Sequence, residues 1–362
     1  MQAKSRYYES TELSADSVES HPCLPYVFAV STYQVDQDPA QSTEASPEYS
    51  RRGRCKLHRV TPGEAAACTT LDAIEGEAIL DAKWTLANSA CGEHGYGMLG
   101  IADATGYLSL YQLGENLAFT KKAAWRMNDE KALCLSLDWS DRTKMGASDA
   151  SVIVSQSNGT LATVPSLHRA EPHGIETWHA HDYEAWIAAW DCWSGANVAW
   201  SGGDDLALKG WDLRTPIHDG TREPTFTCKK GFDGGVTSIQ SHATRQHYWA
   251  VGSYDETIRI FDARNPRRPV ADAPVGGGIW RAKWHPTNEN ALLLGCMHGG
   301  VRIVEWSPDA PIEVVCEFDQ HESIAYGCDW ERGAFRGADM PGASYVYSCS
   351  FYDAALHVWA WA

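Results

Sequence analysis

Residues 201–214, SGGDDLALKGWDLR, contain the pattern that decides the fold of this 362-residue chain. Asp205 stands in a turn six positions before Trp211, and the small residues ahead of the turn are typical of a short strand. The same pattern returns in YDETIRIFD (254–262) and YDAALHVWA (352–360), and three weaker copies bring the total to six. The residues that end the copies are 45 to 53 positions apart: Tyr111, Val164, Trp211, Phe261, Trp306 and Trp359. This regular spacing predicts a repeat architecture.

Upstream of most copies lies a strand that ends in tryptophan, as in ILDAKW (79–84) and WRAKW (280–284). Polar and apolar residues alternate with a period of two in TIRIF (257–261) and LHVW (356–359), which excludes helical repeats. A strand to tryptophan, a second strand, a turn and a strand that closes in W-D form the WD40 blade. Six blades can be counted from about residue 71 onward. Because a seventh is implied before them, we predict an all-β, seven-bladed WD40 β-propeller that forms a single domain.

The predicted first blade is less regular than the others. Residues 24–36 read as two short strands and residues 55–60 as a third, and the polar stretch 37–54 reads as a flexible loop within this blade. We predict a disordered N-terminal tail over residues 1–22 and the propeller over 23–362. Propellers commonly close by joining strands from both chain ends, which leaves no free sheet edge. The apolar VWAWA at 358–362 suits such a closing strand, and a closed ring predicts a monomer.

Charge and cysteine placement narrow the classes of function. Forty-seven acidic and thirty basic residues give a net charge of −17, which repels phosphate backbones and favours a basic or cationic partner over nucleic acid. The eleven cysteines are scattered singly, which predicts reduced thiols and neither a disulfide framework nor a zinc site. The first twenty residues contain no apolar leader, and no apolar run reaches 18 residues. We therefore predict no membrane span and a cytoplasmic or nuclear protein, with the cytoplasm as our choice.

Several stretches match a pattern more specific than the WD40 repeat. The most specific are EAWIAAW (184–190) with SGGDD (201–205), and PVGGGIWRAKWHP (274–286). On these stretches the chain resembles the diphthine methylesterase family, also called diphthine methyltransferases, and the resemblance extends from about residue 24 to 361. It implies a cofactor-independent enzyme that hydrolyses the methyl ester of methylated diphthine on elongation factor 2. The products are methanol and diphthine, whose acid group is then amidated to give diphthamide.

Two other readings compete with the esterase. A non-catalytic WD40 scaffold, in a translation-factor modification or trafficking complex, is the alternative because most propellers do not catalyse reactions. A transferase that uses S-adenosylmethionine is disfavoured because the sequence lacks a glycine loop between a strand and a helix.

Propellers usually bind ligands at one end of the central channel. There the segment that leads into each innermost strand, which we call the lead-in segment, meets the turn between the second and third strands. The turns supply Asp103, Asp204, Tyr254, His298 and Tyr352 as residues to consider. The lead-in segments supply our candidate substrate-binding residues: Asp81, Glu184, Trp186, Trp280, Arg281 and Tyr326.

The resemblance implies a substrate with a trimethylammonium group, which aromatic faces and a nearby carboxylate recognise. Trp186, Trp280, Tyr326 and Glu184 form the predicted cage. Each tryptophan could equally pack between blades. Arg281 could anchor a carboxylate or pair with an acid of the next blade.

Ester hydrolysis needs a base or nucleophile and a group that stabilises the oxyanion. The sequence has neither a G-x-S-x-G elbow nor a metal-ligand spacing such as H-E-x-x-H, so we expect no metal. Our preferred general base is His298 in GCMHGG, acting on water or on the Ser323 hydroxyl, because its blade has Gly300 in place of the turn aspartate. His181 and His321 are the reserve choices. For both, a structural histidine bonded to the turn aspartate is the better interpretation.

The glycine run 276–278 could bring backbone N–H groups to an oxyanion, or it could make a tight turn. The predicted site requires that Glu184, Trp186, Trp280, His298 and Tyr326 converge on one concave pocket.

Overall fold

The computed structural model describes residues 1–37, 49–85, 96–127, 131–141, 150–165, 174–333 and 343–362. Within these ranges the chain forms 29 strands, which assemble into seven antiparallel sheets. No helix in these ranges is long and apolar enough to cross a membrane. Each sheet is one blade of a seven-bladed β-propeller, as the repeats predict.

Each of the first four blades runs from an innermost strand at the channel to an outermost strand at the surface. Blade 1 consists of β2 (Ala15–Ser20), β3 (Val27–Thr32), β5 (Tyr49–Thr61) and β6 (Ala67–Gly76), with β4 (Gln34–Gln37) paired to β5. Blade 2 consists of β7 (Ile79–Trp84), β8 (Met98–Asp103), β9 (Tyr107–Leu113) and β10 (Phe119–Arg126). Blade 3 consists of β11 (Cys134–Trp139), β12 (Val152–Gln156), β13 (Thr160–Val164) and β14 (Glu176–His179). Blade 4 consists of β15 (Ile187–Trp190), β16 (Val198–Gly202), β17 (Leu208–Asp212) and β18 (Phe226–Cys228).

The remaining three blades follow the same order. Blade 5 consists of β19 (Val236–Ser241), β20 (Tyr248–Ser253), β21 (Thr257–Asp262) and β22 (Ala271–Pro274). Blade 6 consists of β23 (Arg281–Trp284), β24 (Ala291–Gly295), β25 (Val301–Ser307) and β26 (Ala310–Phe318). Blade 7 consists of β27 (Ala325–Trp330), β28 (Ser344–Ser350), β29 (Ala355–Trp361) and β1 (Ser5–Ser10). The innermost strands contact one another in sequence around the channel, and β27 returns to β2, which closes the ring.

The tryptophans that end the innermost strands connect neighbouring blades. Each is almost fully buried, and its indole N–H donates to a backbone carbonyl of the preceding blade at 2.8 to 3.3 Å. Each hydrogen bond contributes about 1 kcal/mol in addition to the burial of the ring. The five residues are Trp84, Trp139, Trp190, Trp284 and Trp330. The tryptophans that recur in the sequence therefore mark the contacts between neighbouring blades.

The predicted disordered tail over residues 1–22 is wrong. Strand β1 pairs with β29 as the outermost strand of blade 7, and β2 is the innermost strand of blade 1. The sequence of β2, ADSVES, is mostly polar, yet all six of its residues are buried. They are tolerated because β2 lines the charged channel, where Lys283 bonds the Glu19 carboxylate. Closure by the two chain ends, with the VWAWA segment in β29, is confirmed.

The predicted loop over residues 37–54 is corrected in part. The hairpin of β4 and β5 extends to Gln37 and resumes at Tyr49, so residues 49–54 form strand. Residues 38–48 of the predicted loop lie outside the described residues. The ten cysteines within the described ranges are free thiols, in agreement with their scattered placement.

Candidate functional site

A depression of about 850 Å³ lies on the axis of the propeller, at the end where the lead-in segments meet the turns. All seven blades contribute to its lining, from Ser14 of blade 1 to Tyr352 of blade 7. We call it the axial pocket and define it by six of its lining residues: Asp16, Glu184, Trp186, Tyr254, Trp280 and Tyr326. The predicted Glu184, Trp186, Trp280 and Tyr326 therefore meet in one pocket.

Five rings form a continuous aromatic wall on one side of the axial pocket. The Trp186 ring makes edge contacts with Tyr254 and Trp280, with centroid distances of 5.9 and 5.7 Å. Trp280 stacks on Tyr326 at 4.8 Å, and Tyr326 contacts Phe351 at 5.3 Å. These spacings are typical of favourable aromatic pairs, which hold one another in fixed orientations. We refer to these five residues as the aromatic wall.

The position of Trp186 explains why EAWIAAW and SGGDD occur together. The Trp186 indole N–H donates to Asp204 Oδ1 at 3.0 Å, and the Asp204 N–H donates to the Glu184 carbonyl oxygen at 2.9 Å. Gly203 is needed between them, because a Cβ there would lie 2.7 Å from Nδ1 of His181. The two stretches thus fit against each other and fix Trp186 at the pocket.

Asp16 on β2 is the acid at this pocket that sequence reasoning missed. Its side chain is almost fully buried, and its Oδ1 accepts a hydrogen bond from the Trp280 indole N–H at 3.4 Å. Burial raises the pKa of Asp16 to about 7, although the positive charge of Arg281 acts in the opposite direction. No local pattern marks this residue, since it lies in the segment predicted to be disordered.

The pocket also contains two neutral phenols. Burial raises the pKa of Tyr326 to about 12 and raises that of Tyr254 further above its usual range. Both hydroxyl groups therefore stay protonated at neutral pH and can donate hydrogen bonds.

Arg281 and Asp81, both predicted to bind substrate, bond each other inside the channel. Arg281 Nη2 lies 3.2 Å from Asp81 Oδ1 and also donates to the Leu80 carbonyl oxygen at 3.2 Å. Lys83 Nζ lies 3.1 Å from Asp81 Oδ2. Burial would raise the pKa of Asp81, but the charges of Arg281 and Lys83 lower it overall. Of the two readings of Arg281, pairing with an acid is confirmed, although the acid belongs to blade 2 and lies across the channel.

Neither residue is part of the axial pocket lining. Arg281 instead lines a smaller cavity of about 120 Å³ toward the other end of the channel, together with Lys83 and Lys283.

His181 is bonded to its turn aspartate, as its spacing favours, whereas His321 is linked to its turn aspartate only through a serine. His181 is fully buried, with Nδ1 2.8 Å from Asp205 Oδ1 and Nε2 2.7 Å from Ser201 Oγ. The Trp211 indole N–H donates to the same Ser201 hydroxyl at 2.8 Å. Burial lowers the pKa of His181, so its ring is neutral.

His321 in blade 7 bonds two serines and reaches the turn aspartate Asp353 through one of them. Its two ring nitrogens each lie 2.8 Å from a serine hydroxyl, that of Ser350 and that of Ser348. The Trp359 indole N–H donates to Ser348 at 3.1 Å, and Ser350 donates to Asp353 at 2.5 Å. Burial lowers the pKa of His321 to about 3. Neither histidine lines the axial pocket.

His298, the preferred general base, is not among the residues that line the axial pocket. It is exposed on the turn between β24 and β25. The glycines of the lead-in segment and of this turn have a packing role, because a Cβ on Gly277 would lie 2.0 Å from the Cys296 carbonyl oxygen and a Cβ on Gly299 would lie 2.6 Å from the Gly276 carbonyl oxygen. The glycine run therefore makes a close backbone contact between the lead-in segment and the turn. Ser323 is not among the lining residues either; its Oγ accepts the N–H of Tyr352, which does line the pocket, at 3.2 Å.

One group of potential metal ligands occurs within the described ranges, with ligand atoms within 4.8 Å of one another: Glu9, His58 and Cys68. Burial lowers the pKa of His58 to about 4. The group lies where β1 of blade 7 meets blade 1. It belongs to the junction near the N-terminus and not to the axial pocket.

Comparisons with known proteins place the chain in a family. No protein-family model matches it. The mouse (Mus musculus) diphthine methyltransferase is 37% identical over 336 residues, which cover 88% of this chain and 68% of the relative. The human (Homo sapiens) diphthine methyltransferase is 36% identical over 351 residues, covering 90% and 74%. The Dictyostelium discoideum diphthine methyltransferase homolog is 30% identical and covers 96% of both chains.

A solved structure supports the fold alone. A chain in the crystal structure of the mitotic checkpoint complex superimposes with a TM-score of 0.65 at 13% identity, covering 99% of this chain and 92% of that chain. The sequence relatives, by contrast, are at least 30% identical over most of their own lengths. This chain belongs to the diphthine methyltransferase family.

Proposed function

We propose that this chain is a carboxylic-ester hydrolase of diphthamide biosynthesis that removes the methyl ester from methylated diphthine on elongation factor 2. The products are diphthine and methanol, and the reaction needs no cofactor. Family membership supports the pathway, since the relatives are named for diphthine and a methyl group. Water is the acyl acceptor in this proposal, and methyl transfer from S-adenosylmethionine is disfavoured because the sequence has no glycine loop between a strand and a helix.

The observation that carries the proposal is the aromatic wall of the axial pocket. A trimethylammonium group is attracted to aromatic faces within about 6 Å of the ring centroid, and the attraction grows when water is excluded. Trp186, Trp280 and Tyr326 present such faces, and the carboxyl groups of Glu184 and Asp204 lie beside them. A pocket of about 850 Å³ is large enough for a modified histidine side chain.

Overall charge favours the same substrate. A chain of net charge −17 attracts a quaternary ammonium on a basic translation factor and raises the rate of encounter. Elongation factor 2 as partner, a monomeric enzyme and a cytoplasmic location are all parts of this proposal.

The first test measures the intact mass of elongation factor 2 bearing methylated diphthine, before and after incubation with the purified chain alone. We expect the loss of one CH2 unit and the release of methanol. An unchanged mass with binding retained would reject the esterase and leave the non-catalytic scaffold as the function.

A pair of variants tests the aromatic wall. Trp186→Ala should raise KM about threefold to thirtyfold, the range expected for one cation–π contact, and leave kcat within about twofold. Trp193→Ala is the matched control. Trp193 is 38% exposed, and its indole donates to the His242 carbonyl oxygen at 3.0 Å away from the axial pocket. Equal KM values for the two variants would contradict recognition by the wall.

A further inference from the structure

We propose that Asp16 is the general base of this hydrolysis and that it activates the attacking water at the floor of the axial pocket. This inference deepens the proposed function and rests on it. It assigns a catalytic residue to the N-terminal segment, whereas the sequence pointed to His298, with His181 and His321 in reserve.

Three other acids of the channel are paired with cations. Asp81 is bonded to Arg281, Lys83 and the Leu137 N–H. Glu19 bonds Lys283, and Asp329 bonds Arg332 and the Ser20 N–H. The nearby cations lower the pKa of Asp81 and of Asp329, so these two carboxylates are held as anions and cannot readily take up a proton.

Asp16 has a different environment from these acids. Within the described residues its hydrogen-bond partner is the neutral indole N–H of Trp280, at 3.4 Å. Its carboxyl group lines the same pocket as the aromatic wall. Because burial disfavours its ionised form, the pKa of Asp16 is raised to about 7, where a carboxyl group can take up and release a proton during turnover.

Trp280 joins the aromatic wall to Asp16. It belongs to the wall and also donates to Asp16, so one residue connects the cation-binding surface with the base. The ester and the trimethylammonium belong to the same modified side chain. Binding the cation on the wall therefore brings the ester to the end of the pocket where Asp16 lies.

The proposed step uses water, the ester and the Asp16 carboxylate. The carboxylate takes a proton from water as the water oxygen bonds to the ester carbonyl carbon, and the carbonyl electron pair moves onto its oxygen. The protonated phenols of Tyr254 and Tyr326 are the hydrogen-bond donors available to this oxyanion. When the tetrahedral intermediate collapses, the bond to methoxide breaks and Asp16 returns its proton to give methanol. The product acid then loses its own proton to solvent.

Several titratable or charged groups face Asp16 and bear on the pH profile of the reaction. They are Arg281 and Asp81 in the channel, Tyr254 and Tyr326 in the wall, Cys349 on β28 and Glu184 at the rim. Burial raises the pKa of the Cys349 thiol far above neutrality, and the two phenols also titrate well above it. Arg281 and Asp81 stay charged as a pair. A pH-dependent limb near 7 that disappears in Asp16→Asn therefore reports on Asp16 and not on the imidazole of the modified substrate histidine.

The experiment compares the wild type with Asp16→Asn, which keeps the size of the side chain and an oxygen for the Trp280 indole. We expect single-turnover hydrolysis to slow about 10²- to 10⁴-fold while KM changes less than about threefold. Wild-type kcat should rise with pH through an apparent pKa near 7 and then level off, and this limb should vanish in Asp16→Asn. Glu12→Gln is the matched control, since Glu12 is an exposed acid on the same N-terminal segment.

Three results would overturn the inference. They are a wild-type profile without a limb near pH 7, an Asp16→Asn variant with the wild-type rate, and transfer of ¹⁸O from labelled water into Asp16 during a single turnover. The last result would make Asp16 a nucleophile. The wild-type profile and the labelling need no variant, so they decide the question even if Asp16→Asn fails to fold. If the wild type itself does not remove the ester, the proposed function has failed; if it does and only the Asp16 results disagree, this inference alone has failed.

Discussion

Replacing His181 with alanine should destabilise the propeller and leave its catalytic rate unchanged. His181 joins the turn Asp205 to Ser201, which in turn accepts the Trp211 indole N–H. The imidazole is fully buried and does not line the axial pocket. The substitution removes two buried hydrogen bonds and opens a cavity, but it touches no residue of the aromatic wall.

The expected loss of stability in His181→Ala follows from the hydrogen bonds that its former partners keep. Asp205 still accepts a hydrogen bond from the Ala207 N–H at 3.2 Å, and Ser201 still accepts one from the Trp211 indole N–H. Because neither partner is left unsatisfied, the two lost hydrogen bonds cost about 1 kcal/mol each. The cavity left by the ring adds about 1–3 kcal/mol, for a total of about 3–5 kcal/mol. For a chain of 362 residues the entropy of unfolding is roughly 0.76 kcal/mol/K, so Tm should fall by about 4–7 °C.

The assay pairs thermal unfolding, followed by circular dichroism, with kcat measured well below the transition. His298→Ala is the control, because this exposed turn residue should change stability by less than about 0.5 kcal/mol. A His181→Ala protein that melts like the wild type but has lost hydrolysis would refute the structural role. His181 would then return as a catalytic residue.

Two further predictions concern stability. The folded-state pKa is about 3 for His321 and about 4 for both His285 and His58, below the unfolded value near 6.5. The unfolded chain therefore binds protons at these histidines first, so their contribution to stability is complete above about pH 6.5 and falls toward pH 4, by about 1.4 kcal/mol per pH unit for each histidine that takes up a proton. The raised pKa of Asp16 acts in the opposite direction for one group, so a net loss is expected from pH 7.5 to 5, and equal urea midpoints at the two values would contradict this. Gly277→Ala should cost more than about 3 kcal/mol because its Cβ would overlap the Cys296 carbonyl oxygen, whereas Gly276→Ala, with open space and a φ of +81°, should cost only about 1–2 kcal/mol of backbone strain. Urea unfolding of the two variants tests this difference, and equal losses would show that the close contact does not limit packing.

The sequence alone determined the blades, because the features that define them are local. The alternation within β21 and β29, the turn aspartates and the tryptophans of the innermost strands all lie within a few residues of one another. Trp186, Trp280 and Tyr326 were also predictable, because the order of strands in a blade places every lead-in segment at the same end of the channel. The structural role of His181 followed from its spacing to Trp211.

Only the tertiary structure determined how the pocket is assembled. Strand β2 is a short polar segment whose burial depends on charges from other blades, such as Lys283, so nothing local distinguished it from a tail. Asp16 was missed for that reason, and its raised pKa comes from burial among groups far away in sequence. His298 is not among the residues that line the axial pocket, and the glycines around it serve a backbone contact with the lead-in segment of the same blade. A site built from seven blades depends on distances across the channel, which residue spacing along the chain does not encode.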